Sequence, residues 1–362
     1  MTSTITSDRL AQVTAQGVID CDLHCTIPSV RDLFPYLSDY WREQIELTAY
    51  KGPTETSYPA GMPTSARPGS KPEQGPVGSD LGLLQAQVLD PWNTQLGILT
   101  CSYAVESVHN PDGAAAVASA ANDWVAEHWL ARDARLRASL IVPIQQPEMA
   151  AAEIDRLGGH PGFVQVFLPV RAESPYGNRR YAPIFEAAAR HDLVVAIGFG
   201  GQPSNPPTPS GWPSFYLEEW ADMSSIFQSQ LMSLIVEGVF DRFPTTRVTL
   251  AESGFTWLPS LLWRWDKEWK GLRRQVPWVR RTPTEYVHEH VRLTVQPWDA
   301  PPEERQLVQL LDQLGSEDLL LFSTDYPHWH YDSMEEALPP AGLSDTAVQK
   351  IMRDNARAFY RF

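Results

Sequence analysis

The sequence predicts an α/β protein of the (β/α)8 barrel class, the TIM barrel. Eight apolar, β-rich runs recur along its 362 residues, and helical stretches follow most of them. The runs are continuously apolar, which is typical of parallel strands buried on both faces. The length is within the range of one barrel with insertions. We therefore predict a single domain at 18–362, after an N-terminal arm at 1–17.

The predicted strands and helices alternate along this domain. The strands are 18–24, 96–103, 136–143, 163–169, 193–199, 247–253, 291–296 and 319–325. The helices are 113–132, 147–157, 181–191, 215–240, 256–272 and 302–314. A closing helix begins after Ser344, which is a suitable N-cap residue. Alternation of this kind predicts parallel β-α-β units.

Two Pro-rich segments interrupt the alternation. The insertion at 26–90 follows the first strand, and GGQPSNPPTPSGWP at 200–213 follows the fifth. Both leave the carboxyl end of a strand, where barrel enzymes build their sites. Long loops in compact domains are usually functional or disordered. We expect them to form a lid and a pocket wall; surface decoration or a subunit contact is the alternative.

The composition excludes several classes of partner. The formal net charge is -15 at pH 7 without a long Lys/Arg block, which disfavours nucleic acid and anionic membrane. Three cysteines, an odd number, indicate a reducing compartment. A secretory signal and an apolar run of membrane-spanning length are both lacking. We predict a soluble cytoplasmic protein, and the Trp-rich stretch 263–278 favours a structural helix or a homo-oligomer interface.

The first predicted strand reads VIDCDLH and is followed by Cys25. In an extended segment, Asp20, Asp22 and His24 share one face, while the cysteines lie on the other. The cysteines are therefore predicted to be core thiols, and any chemistry belongs to the Asp-x-His face.

Polar residues stand at the carboxyl ends of several predicted strands, where core packing explains them poorly. They are Asp22, His24, Glu252, Gln296 and Asp325. Each has a simple explanation when taken alone: Asp325 as a helix cap, or Glu252 as a partner of an arginine. If the barrel brings these residues together at one end, the carboxylates would repel one another. A cation or shared protons would be needed to offset this repulsion. A bound divalent metal is the simplest solution.

Three segments resemble the amidohydrolase-2 branch of the amidohydrolase superfamily. They are DLH at 22–24, RFPTTRVTLAESGFTWLPSLLWRWDK at 242–267 and LLLFSTDYPHWHYD at 319–332. That branch includes aminocarboxymuconate-semialdehyde decarboxylase and the resorcylate-type decarboxylases. The resemblance implies a distorted TIM barrel, one divalent metal, and cleavage of a C–C or C–N bond.

The resemblance also implies roles for individual residues. Asp22, His24 and Asp325 fall on metal-ligand positions, and Glu252 falls on a catalytic position. The family's metal-binding histidine of the fifth strand falls on Gly198, which offers no side-chain ligand. We therefore expect Glu252 to replace it as an oxygen ligand, in a set that suits Zn²⁺, Mn²⁺ or Mg²⁺. A metal-free site, with His24 as general base or acid, is the alternative.

Further candidates surround this set. The predicted catalytic residues are Asp325, Glu252, His24 and His328, and the predicted substrate-binding residues are Arg171, Trp329 and Gln296. A surface ion pair with Glu173 or Asp192 is an equally good explanation of Arg171. We expect His330 to be structural or at the surface.

The sequence thus predicts a metal-dependent, non-oxidative decarboxylase of a small aromatic or unsaturated carboxylic acid. One alternative is a hydrolase of an amide, ester or lactone, with or without metal. A second is a degenerate barrel that binds a small molecule without turning it over.

Overall fold

The computed structural model describes residues 2–53, 66–201, 205, 206, 208–301 and 303–362, without the side chains of 2–6. Parts of three predictions lie outside the described residues: the inserted lid at 54–65, the second Pro-rich segment at 202–204 and 207, and the helix start at 302.

Eight strands of the described residues form one sheet in the order of the sequence. They are β1 Val18–His24, β2 Thr94–Thr100, β3 Leu136–Ile141, β4 Phe163–Pro169, β5 Val194–Gly198, β6 Val248–Leu250, β7 Val291–Thr294 and β8 Leu320–Leu321. The pairs β3–β4, β4–β5 and β7–β8 are parallel. Sequential order and parallel pairing are the topology of a (β/α)8 barrel, so the predicted fold class is confirmed.

Helices connect these strands, as the alternating pattern predicts. The α-helices of the described residues are α1 Thr2–Gln16, α2 Asp39–Thr48, α3 Leu81–Leu84, α4 Pro111–Val125, α5 Pro147–Leu157, α6 Ala182–Arg190, α7 Tyr216–Val236, α8 Val239–Arg242, α9 Leu258–Leu272, α10 Pro283–His290, α11 Glu304–Gln313, α12 Asp345–Gln349 and α13 Asn355–Tyr360. The predicted helix 215–240 is divided into α7 and α8 because Gly238 adopts a left-handed φ of 73°. The predicted cap is observed: Ser344 Oγ accepts a hydrogen bond from Ala347 N at 3.1 Å.

The described residues fall into two compact units. One comprises Met1–His24, Thr64–Leu99 and Thr249–Phe362, and the other comprises Cys25–Pro63 and Thr100–Val248. The single-domain organisation at 18–362 stays a prediction. Within the described part, no helix combines the length and the apolar character that a membrane crossing needs.

The three cysteines are free and buried, in agreement with their prediction as core thiols. Burial raises the pKa of Cys21 well above its ordinary value, and the nearby carboxylates raise it further. A hydrogen bond with Cys101, together with burial, raises the pKa of Cys25. Raised pKa values make both thiols poor nucleophiles at neutral pH.

Candidate active site

The site is built where β1 meets the segment that follows β8. Asp325 N donates a hydrogen bond to Asp22 O at 3.0 Å, and His24 N donates one to Tyr326 O at 2.7 Å. These bonds set the register between the two segments. Because alternate residues of a strand share a face, the side chains of Asp22 and His24 point to the same side of β1.

Asp325 lies at the centre of three histidines. Its Oδ1 is 2.6 Å from His24 Nε2 and 3.1 Å from His328 Nδ1, and its Oδ2 is 2.5 Å from His330 Nε2. Burial alone raises the pKa of this carboxyl group, but His328 and His24 outweigh it and hold the pKa well below its usual range. Asp325 is therefore an ionised carboxylate in a fully buried position.

Asp22 is a second buried carboxylate, and its surroundings differ from those of Asp325. Neither of its oxygens has a hydrogen-bond partner among the described residues, and Oδ1 lies 3.6 Å from His24 Nε2. Burial raises the pKa of Asp22 well above its ordinary value; His24 lowers it, while Asp325 and Glu252 raise it further. A buried carboxylate without partners is costly, so a group that supplies positive charge would stabilise it.

Glu252 brings a third carboxylate from the end of β6. Its Oε1 is 3.6 Å from His24 Nε2, and its backbone N donates to Thr294 Oγ1 at 2.9 Å. Glu252 and Asp325 both adopt left-handed backbone conformations, with φ of 60° and 56°. Such conformations are uncommon for residues other than glycine and concentrate at functional sites. Arg247, one arginine that could have paired with Glu252, binds Asp192 at 2.8 Å.

His328 adds an imidazole from the loop after β8. Burial lowers its pKa, but Asp325 above all, with Glu252 and Asp22, raises it to about 9. Its ring lies 4.8 Å from the ring of His24, measured between centroids. In the absence of a metal, the ring would carry positive charge at neutral pH.

Four of these side chains form a group that can hold a metal ion. One donor atom each from His24, Glu252, Asp325 and His328 lies within 4.8 Å of the other three. Donors that bind one ion at about 2.1 Å lie within about 4.2 Å of one another, so small side-chain movements suffice. Three members belong to the predicted metal set, and His328 is the fourth donor where the sequence predicted Asp22. β5 ends at Gly198.

The structure puts Arg171 in a buried ion pair within the other compact unit. Its Nη2 lies 3.0 Å from Glu219 Oε1, and its guanidinium lies over the ring of Phe199. The alternative, a surface ion pair with Glu173 or Asp192, is wrong, because Arg171 is 2% exposed. Glu173 binds Arg180 instead. Substrate binding by Arg171 stays a prediction.

The other two predicted substrate residues differ in exposure. Gln296 is buried, and its Oε1 accepts a hydrogen bond from Trp298 N at 3.1 Å. Trp329 is 49% exposed, and its indole N–H donates to Asp332 at 2.9 Å. Neither hydrogen bond involves the group of His24, Glu252, Asp325 and His328. Substrate binding by Gln296 and Trp329 therefore also stays a prediction.

Two residues near the site were not among the predicted site residues. His330 lies against Asp325 and is not at the surface, with 11% of its side chain exposed. Arg67 lies in the insertion after β1: its N donates to Pro327 O at 2.8 Å, and its guanidinium is 5.4 Å from the Tyr331 ring centroid. The dense run of His, Trp and His in DYPHWHYD is a sequence signal for His330. Arg67 has no such signal within its Pro- and Ser-rich surroundings.

Comparison with known proteins identifies relatives of the chain. A family model described as Amidohydrolase matches residues 19–362. Gamma-resorcylate decarboxylase from Rhodococcus jostii (strain RHA1) is 27% identical over 300 residues, which cover 78% of this chain and 88% of that protein.

Solved structures show the same fold. 2,6-Dihydroxybenzoate decarboxylase in complex with 2,6-dihydroxybenzoate has a TM-score of 0.70 at 20% identity, over 96% of this chain and 99% of that one. A mutant of 5-carboxyvanillate decarboxylase from Novosphingobium aromaticivorans, with bound manganese and 3-methoxy-4-hydroxy-5-nitrobenzoic acid, has a TM-score of 0.71 at 20% identity, over 95% of this chain and 97% of that one.

The family match extends over nearly the whole described barrel and includes all the motifs at the strand ends. The resemblance stated from those motifs is confirmed, and so is the prediction of an enzyme of this family. The chain belongs to the amidohydrolase family, in the amidohydrolase-2 branch.

Proposed function

We propose that the protein is a metal-dependent, non-oxidative decarboxylase of a small aromatic carboxylic acid. The convergence of donor atoms from His24, Glu252, Asp325 and His328 within 4.8 Å carries the proposal. The relatives that are decarboxylases support the reaction, and the neighbour with manganese and a nitrobenzoic acid supports the metal and the aromatic ligand.

The residues fit a divalent ion by their chemistry and by their charge. Imidazole nitrogens together with carboxylate oxygens suit Mn²⁺ and Zn²⁺ better than Mg²⁺. Asp22, Glu252 and Asp325 bring three carboxylates into a buried space, and neither oxygen of Asp22 has a described hydrogen-bond partner. A divalent cation would offset the negative charge of these buried carboxylates.

We assign the ion to His24, Asp325 and His328, with Asp22 beside His24. When bound, the ion polarises substrate oxygens and stabilises negative charge that develops on the substrate. Glu252 is then the carboxyl group that protonates the ring carbon. The bond between that carbon and the carboxylate breaks, its electron pair stays on the ring carbon, and CO₂ leaves.

Arg67 is proposed to bind the carboxylate of the substrate. Its segment is joined to the loop after β8, because Arg67 N donates to Pro327 O and Ala66 forms an antiparallel bridge with His328. A planar guanidinium binds a carboxylate through two parallel hydrogen bonds. The ring of Tyr331 holds the guanidinium by a cation–π contact, which orients it.

Hydrolysis is the second candidate, and Gly198 favours it. The end of β5 offers no side-chain donor, so the ion would keep an open position for water. A metal held there would lower the pKa of a water molecule, and the resulting hydroxide could attack an ester, lactone or amide.

The proposal extends to assembly and location. Trp263 and Leu272 of α9 are each 60% exposed, and exposed aromatic and aliphatic side chains of this size support a homodimer or a higher homo-oligomer. Three free thiols in reduced form support a cytoplasmic location.

The test is a panel of hydroxybenzoates and muconate-like acids, with Mn²⁺ added and CO₂ measured. We expect CO₂ release from at least one aromatic acid, and a loss of about 10²–10⁴-fold in kcat for Glu252→Gln, which is typical when a general acid is removed. His191→Ala is the matched control, because His191 pairs with Asp155 at 2.9 Å outside the site.

Other outcomes point to the alternatives. Cleavage of esters, lactones or amides without CO₂ release would establish the hydrolase. Turnover that chelator leaves unchanged would establish the metal-free enzyme. Aromatic acids that raise the melting temperature without reacting would identify a binding protein.

A further inference from the structure

The two oxygens of the Asp325 carboxylate have different partners. Oδ1 is 2.6 Å from His24 Nε2 and 3.1 Å from His328 Nδ1, two of the proposed metal-binding atoms. Oδ2 is 2.5 Å from His330 Nε2. Because an ionised carboxylate only accepts hydrogen bonds, His330 Nε2 is the donor in this contact. One oxygen thus faces the metal group, and a separate imidazole holds the other.

We infer that His330 is a positioning residue that holds the Asp325 carboxylate so that Oδ1 alone faces the ion. The inference rests on the proposed function for the ion itself. The carboxylate can rotate about its Cβ–Cγ bond, and a hydrogen bond to Oδ2 stops this rotation. Hydrogen bonds of this kind orient metal-binding carboxylates, and they set whether one or two oxygens reach the metal.

The position of His330 is itself supported by its neighbours. Trp329, the preceding residue, is anchored to Asp332 by a hydrogen bond of 2.9 Å. Burial raises the pKa of Asp299, from the loop after β7, and the nearby His330 offsets part of this rise. Gly254 makes room for this carboxylate, because a Cβ at Gly254 would overlap Asp299 Oδ2. The Asp299 side chain is therefore a neighbour that helps to hold the His330 imidazole in position.

Loss of the His330 ring would leave Oδ2 of a fully buried carboxylate without this donor. Asp325 would then turn toward the ion with both oxygens, or turn away from it. Removal of a residue that orients a metal ligand typically costs about 10–100-fold in metal affinity or activity. The expected effect is therefore on metal binding first, and activity follows from it.

The experiment titrates Mn²⁺ into chelator-treated protein and follows free Mn²⁺ by its electron paramagnetic resonance signal. We expect His330→Ala to weaken the Kd by about 10–100-fold. His330→Gln retains an N–H donor at a similar reach and should recover most of the affinity. His191→Ala removes a histidine from another carboxylate pair and should bind Mn²⁺ like the wild type. A folded His330→Ala with a Kd within twofold of the wild type would overturn the inference.

A measurement on the wild type makes the test independent of how well the variants fold. Pulsed electron paramagnetic resonance counts the imidazole nitrogens bound directly to Mn²⁺. Two nitrogens, from His24 and His328, are expected; three would show that His330 is itself a ligand and would refute the positioning role.

These outcomes separate the inference from the proposed function. A wild type that binds Mn²⁺ without releasing CO₂ refutes decarboxylation, while the affinities of the His330 variants still decide the inference. A decarboxylating wild type whose His330→Ala variant keeps full Mn²⁺ affinity refutes the inference alone. A wild type that does not bind Mn²⁺ refutes both.

Discussion

Asp20 and Asp22 are two buried aspartates of one strand with opposite surroundings. Asp20 accepts hydrogen bonds from the hydroxyl group of Thr324 at 2.6 Å, from Thr324 N at 3.1 Å and from Asp22 N at 3.2 Å. Asp22 has no such donors among the described residues. Asp20 therefore stabilises the segment after β8, whereas Asp22 is available for a ligand. The two residues have the same side chain, so only their hydrogen-bond partners distinguish their roles.

Glu106 provides a test of buried charge in the other compact unit. Burial raises its pKa above the ordinary value of 4.5, against two backbone hydrogen bonds that lower it. The folded chain therefore keeps this proton to a higher pH than the unfolded chain does. The protonated Glu106 carboxyl group therefore makes its full contribution to the free energy of unfolding below pH 4.5. This contribution is lost as the pH rises through the pKa that Glu106 has in the folded state.

We expect Glu106→Gln to remove this loss, because the amide does not ionise. The variant should gain stability relative to the wild type as the pH rises above 4.5 through the raised folded-state pKa of Glu106, in urea unfolding at a series of pH values. Glu335→Gln, at an exposed position, is the control and should follow the wild-type curve. A parallel pH dependence of Glu106→Gln and wild type would contradict the expectation.

Single residues also show how far the site was predictable. The period of two along β1 was enough to bring Asp22 and His24 to one face. The positions of Glu252 and Asp325 at the ends of predicted strands, together with the motif resemblance, added these two residues. His330 and Arg67 lie in loops, where no periodicity relates sequence position to direction. Their placement depends on hydrogen bonds between distant segments, such as that of Arg67 N with Pro327 O.

The strands and helices were predictable where their apolar pattern was long. The bounds of β1, β4 and α5 coincide with the predicted ones. β8 is shorter than predicted, with Leu320–Leu321 in place of seven residues. The reason is local: Thr324 N donates to the side chain of Asp20 and not to a neighbouring backbone, so the regular ladder stops early.

α10 was missed although its sequence carries a start signal. Thr282 and Glu285 form a capping box, in which each side chain accepts a hydrogen bond from the backbone N of the other. Pro283 occupies the first position of the helix, where proline is favoured. The helix is short, with eight residues, and so its apolar period is too brief to stand out.

Glycine substitutions test the packing of two elements. Gly271 in α9 has open space around its Cα, so Gly271→Ala should stabilise the protein by about 0.5–1 kcal/mol through helix propensity. A Cβ at Gly177 would overlap the backbone of Ser233 in α7, so Gly177→Ala should destabilise it. Urea midpoints measure both changes; a loss of stability in Gly271→Ala would contradict the assignment of open space.

At the scale of the whole molecule, the candidate site lies within one of the two compact units. His24, Glu252, Asp325, His328 and His330 all belong to the unit that includes Met1–His24 and Thr249–Phe362. An ion bound there should therefore stabilise that unit in particular. The topology was predictable because it depends on many strands and helices, and errors at individual ends do not alter it.

Mn²⁺ should raise the thermal stability of the chelator-treated protein. An ion that binds only the folded state contributes about 2.7 kcal/mol when its free concentration is about a hundred times the Kd. Differential scanning calorimetry should show a higher melting temperature with Mn²⁺ for the wild type and for His191→Ala. The increase should disappear in His24→Ala; an equal increase in that variant would place the ion elsewhere.

The hydrogen bond between His24 and Asp325 joins residues that are 301 positions apart in the chain. A ribosome makes β1 well before the DYPHWHYD segment. Until that segment is made, Asp22 and His24 therefore lack the Asp325 carboxylate and the neighbouring backbone that fixes their register. Contacts so distant in sequence form late in folding, since a long loop must close first. The newly made chain consequently acquires its affinity for the ion only after residue 325 is in place, and premature termination before that residue yields a barrel segment without the complete metal-binding group.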